Sequence, residues 1–207
     1  HRQSTDGTAY STGYVYNLSG GLVEETYPSS RVVKNTLDVD GDLSIVQSKK
    51  NANAGYFNYA KNFTYNAAGA VTSMQLGNGK WESTVFNSRL QPTQINLGTT
   101  QGGTDKLNLV YGYGSTQNNG NVQSQTITVP GLGQPFIQSY TYDELNRLKS
   151  ATETNNGSQT WKQTFTFDRY VNRNFDTANT TTPAPGCLVA VCNPTVNAAN
   201  NRLNGYG

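Results

Sequence analysis

The sequence predicts an all-β protein built of stacked β-hairpin repeats in one continuous, curved or spiralling antiparallel sheet. Three observations predict it. Apolar and aromatic residues alternate at period two, as in Tyr140 and Tyr142, in Leu107, Leu109, Tyr111 and Tyr113, and in Phe165 and Phe167, which is the side-chain period of a pleated strand. Each alternation runs into a short polar turn opened by Asn or Asp, residues that bond their own backbone and tolerate positive φ. The junctions recur about every 21 to 31 residues, at Tyr16, Leu37, Tyr65, Phe86, Tyr111, Tyr142 and Phe167, so each repeat supplies one hairpin that covers the apolar face of its neighbour. No stretch carries a capped 3.6-residue pattern over ten positions.

Composition agrees with a folded, weakly charged chain. Of 207 residues only 14% are charged, against roughly 25% in ordinary soluble domains, so Asn, Thr, Ser, Gln and Gly must supply the polar surface. Leu, Ile, Val and Phe total 40, close to the composition of disordered chains. The net charge is only +2, however, and 13 Tyr with 2 Trp add apolar area that favours folding. The length is enough for a sizeable core. Dispersed charge offers no basic stripe for phosphates, which argues against nucleic acid. No apolar run approaches the roughly 20 residues that span a bilayer. The amino terminus, His1-Arg2-Gln3-Ser4, has neither initiator Met nor leader character, and the chain is expected to start inside a longer protein.

In order along the chain, Tyr10 to Tyr16 leads into Asn17-Leu18-Ser19-Gly20-Gly21 and returns through Leu22 to Tyr27. After Pro28-Ser29-Ser30, Arg31 to Leu37 is a strand. Asp38-Val39-Asp40-Gly41-Asp42 is the next turn, with Leu in the place of Tyr. Phe63-Thr64-Tyr65-Asn66-Ala67-Ala68-Gly69 repeats the pattern, followed by a tight Gly77-Asn78-Gly79 turn and the shortened copy Phe86-Asn87-Ser88-Arg89-Leu90. Tyr111 is taken as the aromatic of a longer turn from Gly114 to Gly120. Tyr142-Asp143-Glu144-Leu145-Asn146-Arg147-Leu148 is the clearest unit. In Phe167-Asp168-Arg169-Tyr170-Val171, Val171 stands where Gly or Asn is expected, which predicts a looser turn. Residues 1–175 thus read as the repeat sheet, 176–195 as a Thr-, Pro- and Asn-rich excursion with a Cys pair, and 196–207 as the start of a further repeat.

The heptads at Tyr142, Tyr65 and Phe167 resemble the Tyr-Asp (YD) repeat of bacterial Rhs proteins, which is similar to repeats in insecticidal toxin complex C components and in animal teneurins. The resemblance covers roughly residues 10 to 175. It implies a β-sheet spiralling into a hollow shell around a C-terminal toxin, or a cell-surface scaffold, of which this chain would form a small arc. The self-cleaving Asp-Pro-x-Gly segment and a toxin domain are both missing here. The repeat-defining residues are Tyr16, Asn17, Asp38, Gly41, Tyr65, Asn66, Gly69, Phe86, Asn87, Tyr142, Asp143, Arg147, Phe167 and Asp168.

Catalytic and metal chemistry find little support. The only His is His1, and no Gly-x-Ser-x-Gly elbow occurs. Glu24 and Glu25 are adjacent, so on a strand they face opposite ways. Asp38, Asp40 and Asp42 surround a Gly turn that would attract Ca²⁺, but the EF-hand order and its distal Glu are absent, and a solvated repeat turn is expected. Cys187 and Cys192 close too short a loop to stabilise much; a disulfide and free thiols both remain open, and a zinc site lacks ligands.

The sequence therefore predicts a non-enzymatic structural protein without cofactors, secreted or on a bacterial cell surface. It would be a segment of an Rhs-type shell that encapsulates or presents a toxin. Its partners would be neighbouring repeats of the same or an identical chain and an enclosed toxin domain. The alternative is an extracellular adhesive or filament-forming module that associates through open strand edges; a glycan-binding module ranks lower.

Overall fold

In a computed structural model, residues 2–116, 118–182 and 192–204 are described. Eighteen strands lie among them. A small hairpin, β1 (Arg2–Thr5) with β2 (Thr8–Ser11), precedes a fourteen-stranded sheet. That sheet begins with β3 (Gly13–Tyr16), β4 (Leu22–Thr26), β5 (Val32–Leu37), β6 (Leu43–Lys49), β7 (Phe57–Tyr65), β8 (Val71–Leu76) and β9 (Trp81–Phe86). It continues with β10 (Pro92–Gly98), β11 (Leu107–Gly112), β12 (Ser124–Thr128), β13 (Phe136–Tyr142), β14 (Leu148–Asn155), β15 (Ser158–Phe167) and β16 (Arg173–Phe175). A last hairpin pairs β17 (Val196–Asn197) with β18 (Arg202–Leu203).

Spatial order in the large sheet follows chain order without a crossover, from β3 to β16. Strand packing within each unit is correspondingly local, between chain neighbours. The fold class is therefore the one the repeats predict: all-β, antiparallel hairpins in one continuous sheet. Two compact units divide it, His1–Asn87 with Ile95–Leu107, and Ser88–Gln94 with Asn108–Gly207.

The sizeable core expected from length is not what forms. Among the described residues the buried apolar side chains are Val32, Tyr113, Ala151 and Phe165, and no side chain falls below 2% exposure. The reason is the single sheet: a hairpin whose neighbours lie only beside it half-covers its side chains and leaves each face open. β13 shows the result, with Phe136, Gln138, Tyr140 and Tyr142 half-buried while Ile137, Ser139 and Thr141 are exposed.

In the first unit the connection after β10 departs from hairpin geometry. Residues 99–106 fold back over β8 and β9, where the Gln101 amide donates to Ser73 Oγ at 2.8 Å and the Gly102 N–H to Ser83 Oγ at 3.0 Å. Gly98 is required there, because a Cβ would meet the Gly103 backbone at 2.5 Å. In the second unit the outer edge of β15 and β16 is covered by side chains. The Asn193 amide bonds both the N–H and the carbonyl of Phe175, while Thr180 and Thr181 hydroxyls accept from the N–H groups of Thr164 and Lys162.

Candidate functional site

The repeated unit is a turn of fixed geometry. In five copies an Asx residue at position i donates its N–H to the carbonyl at i+4 and accepts from the N–H at i+3; these residues are Asn17, Asp38, Asn66, Asp143 and Asp168. Its side-chain Oδ1 accepts from the N–H groups at i+2 and i+4, at 2.8 to 3.0 Å throughout. This is a type I turn followed by a left-handed residue, the G1-bulge hairpin. The i+3 position is left-handed in every copy: Gly20, Gly41, Gly69, Asn146 and Val171. Turns opened by Tyr27 and Leu76 keep the backbone pattern without the Asx cap. The strands close through Tyr16 with Leu22, Leu37 with Leu43, Tyr65 with Val71 and Tyr142 with Leu148, each beside a register shift.

Two sequence expectations change here. Val171, at φ +69°, does not loosen its turn, since Asp168 N–H still reaches the Asn172 carbonyl at 3.1 Å. The Asp168 carboxylate gathers the N–H groups of Tyr170 and Asn172 and the Asn172 amide, which holds a β-branched residue in a conformation it disfavours. The aromatic of the long turn is Tyr113, not Tyr111: β11 ends at Gly112 and Tyr113 is the buried ring. Phe86 ends β9 and Asn87 opens the next turn, whose i+3 residue Leu90 is left-handed at φ +60°.

Tyrosine links one repeat to the one before. Tyr65 Oη donates to the Leu43 carbonyl at 2.6 Å, Tyr113 Oη to Pro92 at 3.0 Å and Tyr142 Oη to Val122 at 2.7 Å. Each acceptor stands 20 to 22 residues upstream. Burial raises all three phenols above their ordinary pKa.

Arginine links one repeat to the next. Arg147 Nε donates to Asp143 Oδ2 at 2.7 Å, Nη2 lies 2.6 Å from the same oxygen, and the guanidinium sits 4.5 Å from the Phe167 ring centroid. Burial alone would raise the Asp143 carboxyl, but the Arg147 backbone and side chain and the Leu145 N–H outweigh it, and its pKa is lowered. A shallow hollow of about 640 Å³, lined by Tyr142, Glu144, Leu145, Phe165 and Phe167, opens beside this stack.

Amides continue the linkage from turn to turn in the second unit. Gln91 and Asn118 exchange two hydrogen bonds, and Asn119 and Asn121 both donate to Asn146 Oδ1. Asn172 donates to Asn201 in the β17–β18 turn at 2.7 Å. A second polar row crosses the strands in register, through Tyr111, Gln125, Gln138 and Glu153. Tyr140 bridges Gln125 and Gln138, Gln138 donates to Glu153, and Thr160 closes the row on Glu153.

Other sequence candidates take structural places. Asp38 spends Oδ1 on its own turn, and among the described residues no three His, Cys, Asp or Glu side chains gather to hold a metal. Glu24 lies in register with Val15 and Lys34, and Glu25 with Tyr14 and Val33, on opposite faces. Cys192 is disulfide-bonded; Cys187 lies outside the described residues. Among those residues no helix is long and apolar enough to cross a membrane.

No known protein family and no curated protein matches the chain. Solved structures do. A crystal structure of a TcdB2-TccC3-Cdc42 complex matches with TM-score 0.67 and 22% identity, over 82% of this chain and 9% of that one. The Photorhabdus luminescens Tc holotoxin pore matches with TM-score 0.66 and 21% identity, over 83% and 9%. TcdB2-TccC3 without its hypervariable C-terminal region matches with TM-score 0.58 and 16% identity, over 84% and 10%. The chain spans about a tenth of the length of the chains it matches, and its fold is that of a stretch of these Tc toxin chains, in agreement with the Rhs-type resemblance carried by its repeats.

Proposed function

We propose that the chain is a non-enzymatic wall segment of a secreted or surface Rhs-type shell that encapsulates or presents a toxin. The observation that carries this reading is the unbroken order of fourteen strands, in which the same Asx turn recurs and the Tyr65, Tyr113, Tyr142 and Arg147 side chains tie repeats to their neighbours. Such a wall extends by adding hairpins and does its work by enclosing space, without a convergent catalytic cluster. The likeness to Tc toxin chains supports the same role. Electron microscopy of the natural polypeptide that carries this chain tests it. A closed β-walled particle whose interior segment resists protease is the expected outcome, and an open or extended particle with a protease-sensitive interior overturns it.

The filament reading keeps one supporting observation, the exposed edge strand β3, with Tyr14, Val15 and Tyr16 outward-accessible. Polymerisation needs a complementary open edge at the other end, and there Asn193, Thr180 and Thr181 already occupy the backbone groups of β15 and β16. Regular fibres of the isolated chain would favour the filament.

A further inference from the structure

The first unit has two chemically different faces. Strand register lines up Tyr14, Glu25, Val33, Ser48 and Phe57 on one face of β3 to β7. Val15, Glu24, Lys34, Gln47 and Asn58 line up on the other, since directly paired residues share a face. The first face also carries Tyr27, Arg31 and Tyr59, each two residues from a member of the row. Its four rings are open to water: Tyr14 44% exposed, Tyr27 39%, Phe57 59% and Tyr59 46%.

Arg31 stands among these rings and is held in place. Its Nη1 donates to Tyr59 Oη at 3.2 Å and reaches Ser48 Oγ at 3.4 Å, and its guanidinium lies 5.9 Å from the Tyr59 ring centroid. Among the described residues, Nε and Nη2 have no partner and no carboxylate pairs with the guanidinium. A fixed guanidinium with two nitrogens free to donate is a carboxylate anchor, and Tyr, Phe and Arg are enriched in protein interfaces, Tyr and Arg in their hot spots. Phe57 and Tyr59 do not form a shared flat platform of the kind a sugar stacks on, because they meet edge to face at 88°. Edge-to-face rings leave notches that suit apolar side chains.

We infer that this aromatic face is a docking surface for an extended polypeptide segment, in which an Asp or Glu carboxylate pairs with Arg31 while flanking apolar side chains pack among Tyr14, Phe57 and Tyr59. The partner supplies the charge that Arg31 lacks. The surface belongs to this chain whether or not it forms part of a shell, so its test is independent of that reading.

Fluorescence anisotropy on the full chain provides the test, with a short labelled peptide of alternating Trp and Asp as probe, the same peptide with Asn for Asp, and polygalacturonate. Saturable binding of the Asp peptide is expected, weakened by ~10-fold or more in Arg31→Gln, as for a central anchor residue. Arg31→Lys, which keeps the charge and loses the fork, should also weaken it, whereas Lys34→Gln on the opposite face should not. Circular dichroism and a melting curve confirm that each variant is folded. Absent or non-saturable binding, equal binding of the Asn peptide, or equal loss in Lys34→Gln overturns the proposal. Binding of polygalacturonate in place of the peptide overturns it in favour of an acidic glycan. A dimer that Arg31→Gln dissolves in light scattering overturns it in favour of self-association.

Discussion

Arg147 lies 4.5 Å from the Phe167 ring centroid and 2.6 Å from Asp143 Oδ2, so one side chain bonds its own turn and covers the aromatic of the following repeat. Both ends of the interaction belong to the repeated motif, Asp143 opening one turn and Phe167 preceding the next.

Arg147→Lys should lower the melting temperature, because an ammonium cannot pair with the carboxylate and lie flat on the ring together. The stacking part alone is worth about 0.5–1 kcal/mol at an exposed site. Arg147→Ala should cost more, and a melting temperature unchanged in both variants would show that the stack is ornamental.

The tyrosine links predict a graded series. Tyr142→Phe removes only the bond to the Val122 carbonyl and should cost about 0.5–1.5 kcal/mol. Tyr142→Ala also removes the ring and should cost more. Tyr65→Phe and Tyr142→Phe touch separate hairpins and should add in the double variant to within about 0.5 kcal/mol. Urea denaturation measures all four; Tyr142→Phe as stable as the parent would refute the link.

Val171→Gly should stabilise the chain by about 1 kcal/mol, because a β-branched residue in the left-handed region carries strain that Gly does not. The side chain is 58% exposed and contributes little packing. Gly69→Val, at φ +78°, should have the opposite sign. A lower melting point for Val171→Gly would mean that Val171 packs against something its exposure does not suggest.

Stability should fall in acid. Asp143 and Asp168 have folded pKa values below the ordinary carboxylate value: burial opposes the shift at Asp143, and hydrogen bonds from Arg147 and Leu145, and at Asp168 first from the Asn172 amide, produce it. A lowered folded pKa gives stability that is complete above the ordinary value, about 3.9, and lost as pH falls through the folded one. Asp143→Asn keeps the Oδ1 cap that Asn17 and Asn66 use naturally, so it should flatten the melting-temperature profile below about pH 4 while conserving the turn at neutral pH. At the alkaline end, the raised phenols of Tyr65, Tyr113 and Tyr142 predict stability present below about pH 10 and lost above it.

Much of this was legible because it is local. An Asx residue caps a turn with its own side chain, so Asn17, Asn66 and Asp143 mark their turns in any context. Val171 departs from the pattern because Gly or Asn at i+3 is a preference about strain, and Asp168 supplies enough hydrogen bonds to override it. Period two leaves the end of a strand free by two residues, so Tyr111 and Tyr113 fit the pattern alike and only the bond to Pro92 singles out Tyr113. The Tyr links, the amide bonds between turns and the fold-back of residues 99–106 join positions about 20 to 30 apart, where nothing in a local pattern names the partner. The aromatic face around Arg31 was also invisible, since it is assembled from strand registers that turns set one hairpin at a time.

The strict agreement of strand order with chain order bears on how such a protein comes into being. No strand waits for a distant partner, so loop-closure entropy does not grow with length and hairpins can form in sequence as the chain emerges. Each new hairpin needs only the one before it as a template, so assembly can start from any hairpin already formed and spread along the chain.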